Sequence, residues 1–393
     1  MRILHVTRET AGDRRFGIGR SLLPVTEALQ ARGHDVRYLT QEDLGPRARA
    51  ALPHLAQVLH SAAGLLFGDA GRAMALAWAE RLNVGRLAAK LARASQVDVV
   101  HLHDPWIGWG YRHACWLHRP VRPTRWGFTE HGFGCYADAT HEEGLPYTPA
   151  LLRRLRGLES RLARQAHWVF CPTEAGRWQL ARDLAWPVPL PTWHAVHHAK
   201  PRLNLPSRAV ARHALGLPDD LPLVLAVGRI NPVKRLEAVV QACAMVPGPL
   251  RLILLAAAGD EAPLRALAAG APQLQFDIRL AEDVGPYLAA ADVYASAALN
   301  ESFGLANLEA MVAGLPMICT AVGGVPEVTG GCAWLVPGGQ ESLARNLASA
   351  LRGLLQDTPL RLTLAEAARE RGEHWLTPDQ AAQRYEAIYL GQA

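Results

Sequence analysis

The second half of the chain alternates short apolar runs with longer stretches of helical period. Apolar runs of strand length occur at 222–228, 251–258, 292–297 and 315–321. The spacing of apolar residues between and after them predicts helices at about 233–246, 261–270, 282–291, 303–314 and 341–356. Strands that alternate with helices at this spacing predict a parallel sheet covered by helices on both faces.

The first half repeats this pattern around a long helical insert. Its predicted strands are 2–7, 35–40, 97–103, 125–131 and 167–173. A segment rich in proline and polar residues, 199–209, marks a boundary, and Thr377-Pro378 is a helix start signal. We therefore predict an α/β protein with two doubly wound domains. The predicted parts are 1–199 with the insert 44–95, then 200–376, then a C-terminal helix 377–393 that could pack back on the first domain.

Composition and cysteine spacing indicate the cellular compartment of the protein. The chain has 393 residues, of which half are hydrophobic, enough for two globular cores. We find no apolar run near the roughly 20 residues that a membrane-spanning helix needs. The N-terminus resembles a first core strand, not a secretory signal. The six cysteines show no C-x-x-C pair, which favours free thiols in a reducing compartment, the cytoplasm.

The charge is shared unevenly between the halves. Residues 1–200 hold 26 Lys and Arg against 17 Asp and Glu, and the remainder holds 15 against 19. A basic first half suits an anionic membrane surface or a phosphorylated acceptor. A solvated surface of an arginine-rich protein is the alternative. Nucleic acid is not expected, because no recognised nucleic-acid module is present.

Polar residues collect where predicted strands end. Open parallel sheets bind ligands beyond the carboxyl ends of their strands. These ends carry Gly228-Arg229, Thr129-Glu130-His131, His101-Leu102-His103-Asp104 and Asn300-Glu301. With two such domains, we expect these edges to be able to face each other across one cleft.

Two cations stand beside a predicted helix start in GRINPVKR (228–235). The guanidinium of Arg229 could grip two phosphate oxygens, and the ammonium of Lys234 would add a point charge. Helix amides would add their dipole. The segment fits a phosphate site, and an ordinary surface loop is the alternative.

Two glutamates eight positions apart, Glu301 and Glu309, stand in NESFGLANLEA (300–310). Gly304 between them lets the backbone approach a ligand, and the amides of residues 303–306 begin a helix whose dipole favours anions. Both carboxylates could accept hydrogen bonds from sugar hydroxyls. The alternatives are a helix-capping role for Glu301 and a solvated helix surface for Glu309.

Two glycine-rich segments follow other strands. The pair Gly323-Gly324 either allows close backbone approach or forms a tight turn. Gly17 and Gly19 lie in RETAGDRRFGIGRS (8–21), which lacks the third glycine of a dinucleotide fingerprint. No acidic residue closes the second strand either, so a nicotinamide site is not expected.

The histidines cluster near strand ends. His101 and His103 share one strand face beside Asp104, a set that could suit a metal, and His131 could hydrogen-bond a substrate. A further cluster lies at 194–198. None shows the spacing of a zinc enzyme, so we predict mostly structural histidines and no metal site.

Together these segments resemble the retaining glycosyltransferase family 4, which has the GT-B fold. The resemblance covers nearly the whole chain, through MRILHVT, FGIG, ALQARGHDVRYLT, VDVVHLHD and TEHG. It is strongest in VGRINPVKR and ADVYASAALNESFGLANLEAMVAGLPMICTAVGGVPEV, where Glu301 and Glu309 fit the E-x7-E motif of the family. It implies two Rossmann-like domains that face each other across a cleft.

The resemblance also implies roles by position. Arg229 and Lys234 would bind the diphosphate of a nucleotide-sugar donor. Glu309 would hold the ribose hydroxyls and Glu301 the transferred sugar, and His131 would come near the reacting centre. The catalytic set is then His131, Glu301, Arg229 and Lys234. The other residues assigned to the donor are Gly17 and Gly19, in a loop closing over it, and Gly228, Arg279, Ser302, Phe303, Gly304 and Leu305, which line it.

The implied reaction transfers a sugar from a UDP- or GDP-sugar to a saccharide or lipid-linked acceptor, with retention and without metal or cofactor. It would serve bacterial cell-surface polysaccharide or glycolipid synthesis. The insert 44–95 and the basic helix 151–166 would dock on the inner membrane face. The alternatives are another GT-B enzyme, such as a nucleotide-sugar 2-epimerase, and a non-catalytic subunit that binds nucleotide-sugar. A phosphorylase would need a lysine for pyridoxal phosphate, but Lys234 is the only lysine after residue 200.

Three positions depart from the family pattern. Ala297-Ala298 stands where Pro-Ser is usual, and His194-Ala195-Val196 replaces an Asn-Gly-Val turn. Arg279 replaces a common glycine ahead of the base-binding region, which leaves the nucleobase open. Because every charged donor residue is present, we expect activity.

Overall fold

The computed structural model describes residues 1–8, 17–94, 96–117, 124–256, 259–339 and 341–392. The chain forms two compact units. The first comprises Met1–Ala199 and Thr377–Ala393, and the second comprises Lys200–Leu376. Each unit is built on its own sheet and its own core.

The first unit contains a six-stranded parallel sheet in the order β2-β1-β3-β4-β5-β6. The strands are β1 (Arg2–Val6), β2 (Asp35–Leu39), β3 (Val99–Leu102), β4 (Arg125–Thr129), β5 (Trp168–Cys171) and β6 (Trp193–Ala195). The strand order reverses at β1, as in a doubly wound sheet. The inner strands β3 and β5 are buried along their whole length, which explains why they appear as continuous apolar runs.

Six helices of the first unit connect these strands. They are α1 (Gly17–Ala31), α2 (Pro46–Ala94), α3 (Ile107–Leu117), α4 (Tyr136–Glu142), α5 (Pro149–Gln165) and α6 (Glu174–Asp183). Local chemistry sets several starts. At α5, for example, the hydroxyl of Thr148 accepts from the amide of Leu151, and Pro149 occupies the first helical position.

The predicted insert 44–95 is helix α2, and it is interrupted. Gly68 has φ 62° and ψ −143°, a conformation outside the helical region. A Cβ on Gly71 would lie 2.2 Å from the carbonyl oxygen of Ala63, so the two helical segments pack closely through small residues on either side of the break. Further along, Gly85 packs against α3, where a Cβ would lie 2.4 Å from the carbonyl oxygen of Ile107.

Helix α2 also corrects the expectation about apolar runs. By length and composition alone it is long and apolar enough to cross a membrane. Residues 50–67 contain no Asp, Glu, Lys or Arg. Pro53, His54 and His60 interrupt the apolar pattern, so the sequence alone did not indicate a long apolar run here. Leu65 and Leu66 are 90% and 70% exposed, so this stretch does not belong to the core of the unit.

The second unit contains a six-stranded parallel sheet in the order β12-β11-β10-β7-β8-β9. The strands are β7 (Leu223–Val227), β8 (Leu250–Leu255), β9 (Leu274–Arg279), β10 (Val293–Ser296), β11 (Met317–Thr320) and β12 (Ala333–Val336). The helices are α7 (Arg208–Leu215), α8 (Leu236–Ala244), α9 (Ala262–Ala269), α10 (Gly285–Ala290), α11 (Leu305–Val312), α12 (Val325–Thr329), α13 (Leu343–Gln356) and α14 (Thr358–Glu373). The predicted α/β class with two doubly wound sheets is confirmed.

The sequence pattern missed three strands, β6, β9 and β12. All three are sheet edges. β9 carries only one buried residue and β6 has only three residues, so neither shows a long apolar run. The polar helix α14 was missed for a related reason, since only Ala368 and Gly372 in it are buried.

After the second unit, the chain returns to the first through α15 (Pro378–Leu390). A capping box between Thr377 and Gln380 fixes its start. Tyr389 donates to or accepts from Nδ1 of His101 at 2.6 Å, and Tyr385 packs edge-on against Phe170. The six cysteines are free, as predicted, and all except Cys115 are buried.

Candidate active site

The loop after β7 carries the two predicted cations. It starts at Gly228, whose amide donates to the carbonyl of Leu255 on β8 at 3.0 Å. The stem of Lys234 lies over Gly228, where a Cβ would be 3.3 Å from the lysine Cγ. The amide of Lys234 donates to Oδ1 of Asn231 at 3.0 Å, which holds the turn, and Arg229 is exposed. The loop therefore places one cation in a fixed position and one at the surface.

Lys234 and Glu301 form an ion pair. Nζ of Lys234 lies 2.5 Å from Oε2 of Glu301, and the two side chains are 27% and 15% exposed. The backbone carbonyl of Glu301 accepts from the amide of Gly324 at 2.9 Å. The loops that follow β7, β10 and β11 therefore meet at Glu301, with Ser302 next along the chain.

Helix α11 begins beyond this pair. Gly304 has φ 83° and ψ 70°, a left-handed conformation that glycine adopts without strain. Within the described chain, no side chain caps this end of the helix, so the amides of its first turn can serve a bound anion. The helix begins at Leu305, two residues after the predicted start. Phe303 is buried in the core, where it packs against Trp375.

Glu309 lies in the middle of α11 and is 8% exposed. It is therefore not the solvated surface residue of the alternative interpretation. A carboxylate is costly to bury unless partners compensate the lost hydration. The sequence therefore places this carboxylate on the inward face of the helix that begins at Leu305.

Two further residues in this region were not predicted from the sequence. Asn307 is buried, its Oδ1 accepts from Tyr294 at 3.0 Å, and its Nδ2 has no partner among the described residues. That nitrogen lies 2.6 Å from where a Cβ on Gly304 would be, so a side chain there would have to displace the amide of Asn307. The i, i+3 spacing of Gly304 and Asn307 is the signal that could have indicated this contact.

The second such residue, Arg235, holds the loops together. It caps α8 in the left-handed region, with φ 45°. Its guanidinium donates to the carbonyls of Ala297, Ala298 and Gly338 at 2.8, 2.9 and 2.9 Å. Since these contacts use backbone oxygens, the replacement of Pro-Ser by two alanines leaves them intact. No local sequence signal distinguishes this arginine from a surface cation.

A pocket of about 290 Å³ opens at the carboxyl ends of β7, β8 and β9. It is lined by Ile230, Ala256, Gly259, Glu261, Ile278, Arg279 and Leu280. Arg279, the last residue of β9, donates weakly to Asp277 and to the carbonyl of Leu215, each at 3.4 Å. Arg279, which was predicted to line the donor, therefore lines a cavity at the strand ends of the second unit.

The remaining predicted site residues, His131, Gly17 and Gly19, belong to the first unit. His131 follows β4, is half-buried, and its Nε2 lies 3.2 Å from Nδ1 of His103. Burial lowers the pKa of His131 to about 3, so the ring is neutral at physiological pH. Gly17 and Gly19 form the start of α1 and not the predicted closing loop, of which residues 9–16 lie outside the described residues.

Family models match both halves of the chain. The model for Glycosyl transferases group 1 matches residues 207–371, and the model for Glycosyltransferase Family 4 matches residues 17–200. The D-inositol 3-phosphate glycosyltransferase of Saccharomonospora viridis is 31% identical over 309 residues, which are 71% of this chain and 66% of that protein. The enzyme of the same name from Xylanimonas cellulosilytica is 35% identical over 195 residues, 45% of each chain. The matches thus span less than two thirds of these relatives' own length.

Solved structures resemble the chain along its whole length. Sucrose-phosphate synthase from Thermosynechococcus elongatus has a TM-score of 0.73 at 22% identity and covers 100% of this chain and 99% of that one. HepE from Anabaena, in complex with UDP-glucose, has a TM-score of 0.70 at 16% identity and covers 100% of both chains. At these identities the likeness establishes the fold. The family models over both halves show that the chain belongs to glycosyltransferase family 4, and the solved structures show that it has the GT-B fold.

Proposed function

We propose that the protein is a retaining glycosyltransferase that moves a sugar from a UDP- or GDP-sugar to a saccharide or lipid-linked acceptor. The observation that carries the proposal is the Lys234–Glu301 ion pair, at the junction of three loops. Glu309 is buried in the helix beside that junction. A cation paired with one carboxylate, with a second carboxylate in the helix that follows, suits a ligand that has an anionic group and hydroxyl groups.

The ion pair would hold a cation in position before an anionic ligand binds. The pair is partly buried at 2.5 Å, so the ammonium is held in one place by Glu301. A donor diphosphate would share this ammonium with Glu301, and Arg229 would add a second cation from the same loop. Glu301 would then accept from a sugar hydroxyl and Glu309 from the ribose hydroxyls.

The chemistry follows from this charge arrangement. Breaking the bond between the anomeric carbon and the phosphate builds positive charge on the sugar and negative charge on the leaving diphosphate. Lys234, Arg229 and the first amides of α11 would stabilise the leaving group, which is the electrostatic work that a divalent metal would otherwise do. The leaving phosphate would accept the proton of the acceptor hydroxyl on the same face of the sugar, so configuration is retained. The proposed mechanism therefore needs no protein base and no metal.

The comparisons support a donor and an acceptor of this kind. HepE is a protein of the same fold in complex with UDP-glucose. The relatives are named for transfer to D-inositol 3-phosphate, a hydroxylated and phosphorylated acceptor. In this chain the pocket of about 290 Å³ at Arg279 would take the nucleobase, and uracil and guanine remain the two options.

We further propose that the first unit lies on an anionic membrane surface at the cytoplasmic face, close to a lipid-linked acceptor of cell-surface polysaccharide or glycolipid synthesis. The apolar stretch of α2 is exposed at Val58, Leu65 and Leu66. The guanidinium of Arg154, on the basic helix α5, lies 5.4 Å from the ring centre of Phe67 at the end of that stretch. An apolar face beside a basic face is the pattern of a helix that lies in the membrane interface.

The same helix is fixed to the first unit by its second segment. Nε of Arg81 donates to Oδ2 of Asp104 at 2.7 Å, with both side chains buried. This buried ion pair ties the helix to the loop after β3, which favours a helix lying along a membrane over one that crosses it.

The first experiment is a binding panel of UDP, GDP and their sugars, read by thermal unfolding. A donor at 100 times its dissociation constant should stabilise the protein by about 2.7 kcal/mol. Glu309→Gln should weaken donor binding by roughly tenfold or more, because hydrogen bonds to charged groups are worth about 1.5–3 kcal/mol. Lys234→Met should abolish transfer. Glu366→Gln and Lys90→Met are the matched controls, because both residues are exposed.

The outcomes separate the candidate functions. Transfer to an acceptor with retained configuration supports the proposal. Inversion at C2 of the free sugar-nucleotide would indicate an epimerase, and binding without turnover would indicate a non-catalytic subunit. Full transfer by Lys234→Met, or no response to any nucleotide, would overturn the assignment of the site.

A further inference from the structure

Three histidines of the first unit form a hydrogen-bonded chain. Nδ1 of His5 lies 2.8 Å from Nε2 of His103, and Nδ1 of His103 lies 3.2 Å from Nε2 of His131. His5 and His103 are 1% and 3% exposed, whereas His131 is half-buried. The chain therefore runs from the interior of the unit to an accessible ring.

The sheet builds this chain from residues far apart in sequence. β1 and β3 pair in parallel with His5 beside His101, and the amide of His103 donates to the carbonyl of Val6 at 2.8 Å. Residues two apart on a strand share a face, so His103 follows His101 toward the carboxyl end. β4 lies beside β3 and ends just before His131.

Burial keeps all three rings neutral. It lowers the pKa of His5 to about 4 and that of His131 to about 3. The pKa of His103 is lowered well below its usual value by burial and by the neighbouring histidines. Each ring then carries one hydrogen, on either Nδ1 or Nε2.

Neutral rings in such a chain have coupled tautomers. Each close pair of nitrogens shares one hydrogen, and His103 has only one to give. If His103 donates from Nε2 to His5, then His131 must donate from Nε2 to His103. If His103 donates from Nδ1 to His131, then His5 must donate from Nδ1 to His103, and His131 carries its own hydrogen on Nδ1.

The buried end of the chain decides between these states. Nε2 of His5 is buried and has no partner among the described residues. The first state would leave a hydrogen on that nitrogen, as a buried donor without an acceptor. The second state leaves Nε2 of His5 as a buried acceptor without a donor among the described residues. Orphaned buried N–H groups are rarer in proteins than under-used acceptors, so the second state is favoured.

We propose that His103 is a positioning residue that holds His131 in the Nδ1–H tautomer by donating a hydrogen bond to its Nε2. The nitrogen of His131 that His103 does not contact, Nδ1, then carries the hydrogen, so it can donate a hydrogen bond and cannot act as a base. His198 lies with its ring parallel to that of His131, 6.1 Å away between centroids, which helps to keep the plane of the ring.

A metal ion is the competing use of this cluster, since His5, His101 and His103 have ligand atoms within 4.8 Å of one another. The geometry favours hydrogen bonds. Nitrogens bound to one tetrahedral zinc at about 2.0–2.1 Å are about 3.3 Å apart, wider than the 2.8 Å between His5 and His103. Both nitrogens of His101 are already used, by Tyr389 at 2.6 Å and Thr129 at 2.7 Å.

The tautomer does not depend on the reaction, but its catalytic consequence rests on the proposed function. If His131 contacts the donor sugar, a fixed N–H would donate to an acceptor atom of the sugar. Loss of that tautomer should lower kcat more than it changes the KM for the donor, because the ring stays in place and only its hydrogen moves.

The experiment is nitrogen NMR of the full-length protein labelled at the histidine rings. His131 should be Nδ1–H in the wild type. In His103→Leu it should change to Nε2–H, the tautomer that free histidine prefers. His103→Asn should restore Nδ1–H, because its amide can donate from the position of Nδ1. His141 is the internal reference, since its Nδ1 lies 2.8 Å from the carbonyl of Leu145 and must carry the hydrogen in every variant.

Activity is measured on the same samples. The expected result is a kcat at least tenfold lower in His103→Leu and a partial recovery in His103→Asn. A wild-type His131 found as Nε2–H, or unchanged in His103→Leu, would overturn the proposal, as would a zinc ion bound at one per chain with shifted His5 and His103 signals. If the tautomers change as expected but no transfer is found, the proposed function fails while the positioning role stands.

Discussion

At the scale of single residues, Glu130 gives the protein a dependence on pH. This carboxyl, next to His131, is 1% exposed, and its Oε1 has no hydrogen-bond partner among the described residues. Burial, followed by the charges of Glu159 and Asp104, raises the pKa of Glu130 well above its usual value. The folded protein therefore keeps a proton on Glu130 at pH values where the unfolded chain has lost it.

The sign of the effect follows from proton linkage. Above the unfolded pKa near 4.5, the unfolded state binds fewer protons at this site, so stability falls as pH rises toward the folded pKa. One such group contributes a slope of about 1.4 kcal/mol per pH unit. Glu130→Gln mimics the protonated form and should remove this slope at pH values above the unfolded pKa.

The measurement is urea unfolding of wild type and variant across that range. The difference in free energy of unfolding should move in favour of Glu130→Gln as pH rises, while the exposed control Glu366→Gln stays parallel to wild type. Because the buried histidines act equally in wild type and variant, they cancel in this comparison. Parallel curves for Glu130→Gln would show that the carboxyl is ionised in the folded state.

At the scale of elements, the contact between α2 and α3 depends on two glycines. A Cβ on Gly85 would lie 2.4 Å from the carbonyl oxygen of Ile107 and 2.6 Å from the amide nitrogen of Tyr111. On the other side, a Cβ on Gly110 would lie 2.6 Å from the carbonyl oxygen of Leu82. Since these are backbone atoms, the helices cannot yield to a methyl group by changing a rotamer.

Gly85→Ala should therefore destabilise the protein by about 1–3 kcal/mol, the usual cost of overpacking. Gly157→Ala is the matched control, because it lies within α5 and a Cβ there meets no atom within 4 Å. In a helix interior, alanine in place of glycine should stabilise by roughly 0.5–1 kcal/mol. Urea unfolding measures the free energy of unfolding of both variants. If Gly85→Ala is as stable as the wild type, α2 does not pack this closely on α3.

At the scale of the whole molecule, the exposed apolar stretch of α2 predicts membrane association. The protein should sediment with vesicles that contain anionic lipid at low salt and much less with neutral vesicles. Leu65→Ser with Leu66→Ser should weaken this binding by tenfold or more, since each buried leucine contributes about 1.5–3 kcal/mol. These side chains are 90% and 70% exposed, so folding should be unchanged.

Leu362→Ser is the control for that experiment, because Leu362 is 62% exposed on α14 of the second unit. Equal partitioning onto acidic and neutral vesicles, or binding that survives both serines, would remove the membrane from the proposal. The donor site in the second unit would be unaffected by that result, because none of its residues lies on α2.

Features that rest on local pattern could be predicted from the amino-acid sequence. The pattern of apolar residues predicted nine of the strands in their order along the chain. The predicted α/β class and the predicted family are confirmed. The roles assigned to Arg229, Lys234, Glu301 and Glu309 stay predictions, although the structure brings Lys234 and Glu301 into contact. Such features are readable because hydrogen bonding and side-chain alternation repeat over a few residues.

Contacts between distant segments could not be predicted, because no local pattern connects them and folding alone brings them together. Arg235 binds carbonyls more than 60 positions away, and His5 reaches His103 across 98 positions. Tyr389 meets His101 across 288 positions. These pairs depend on how strands are ordered in a sheet, and that order is set by packing over the whole unit, which the spacing of residues along the chain does not record.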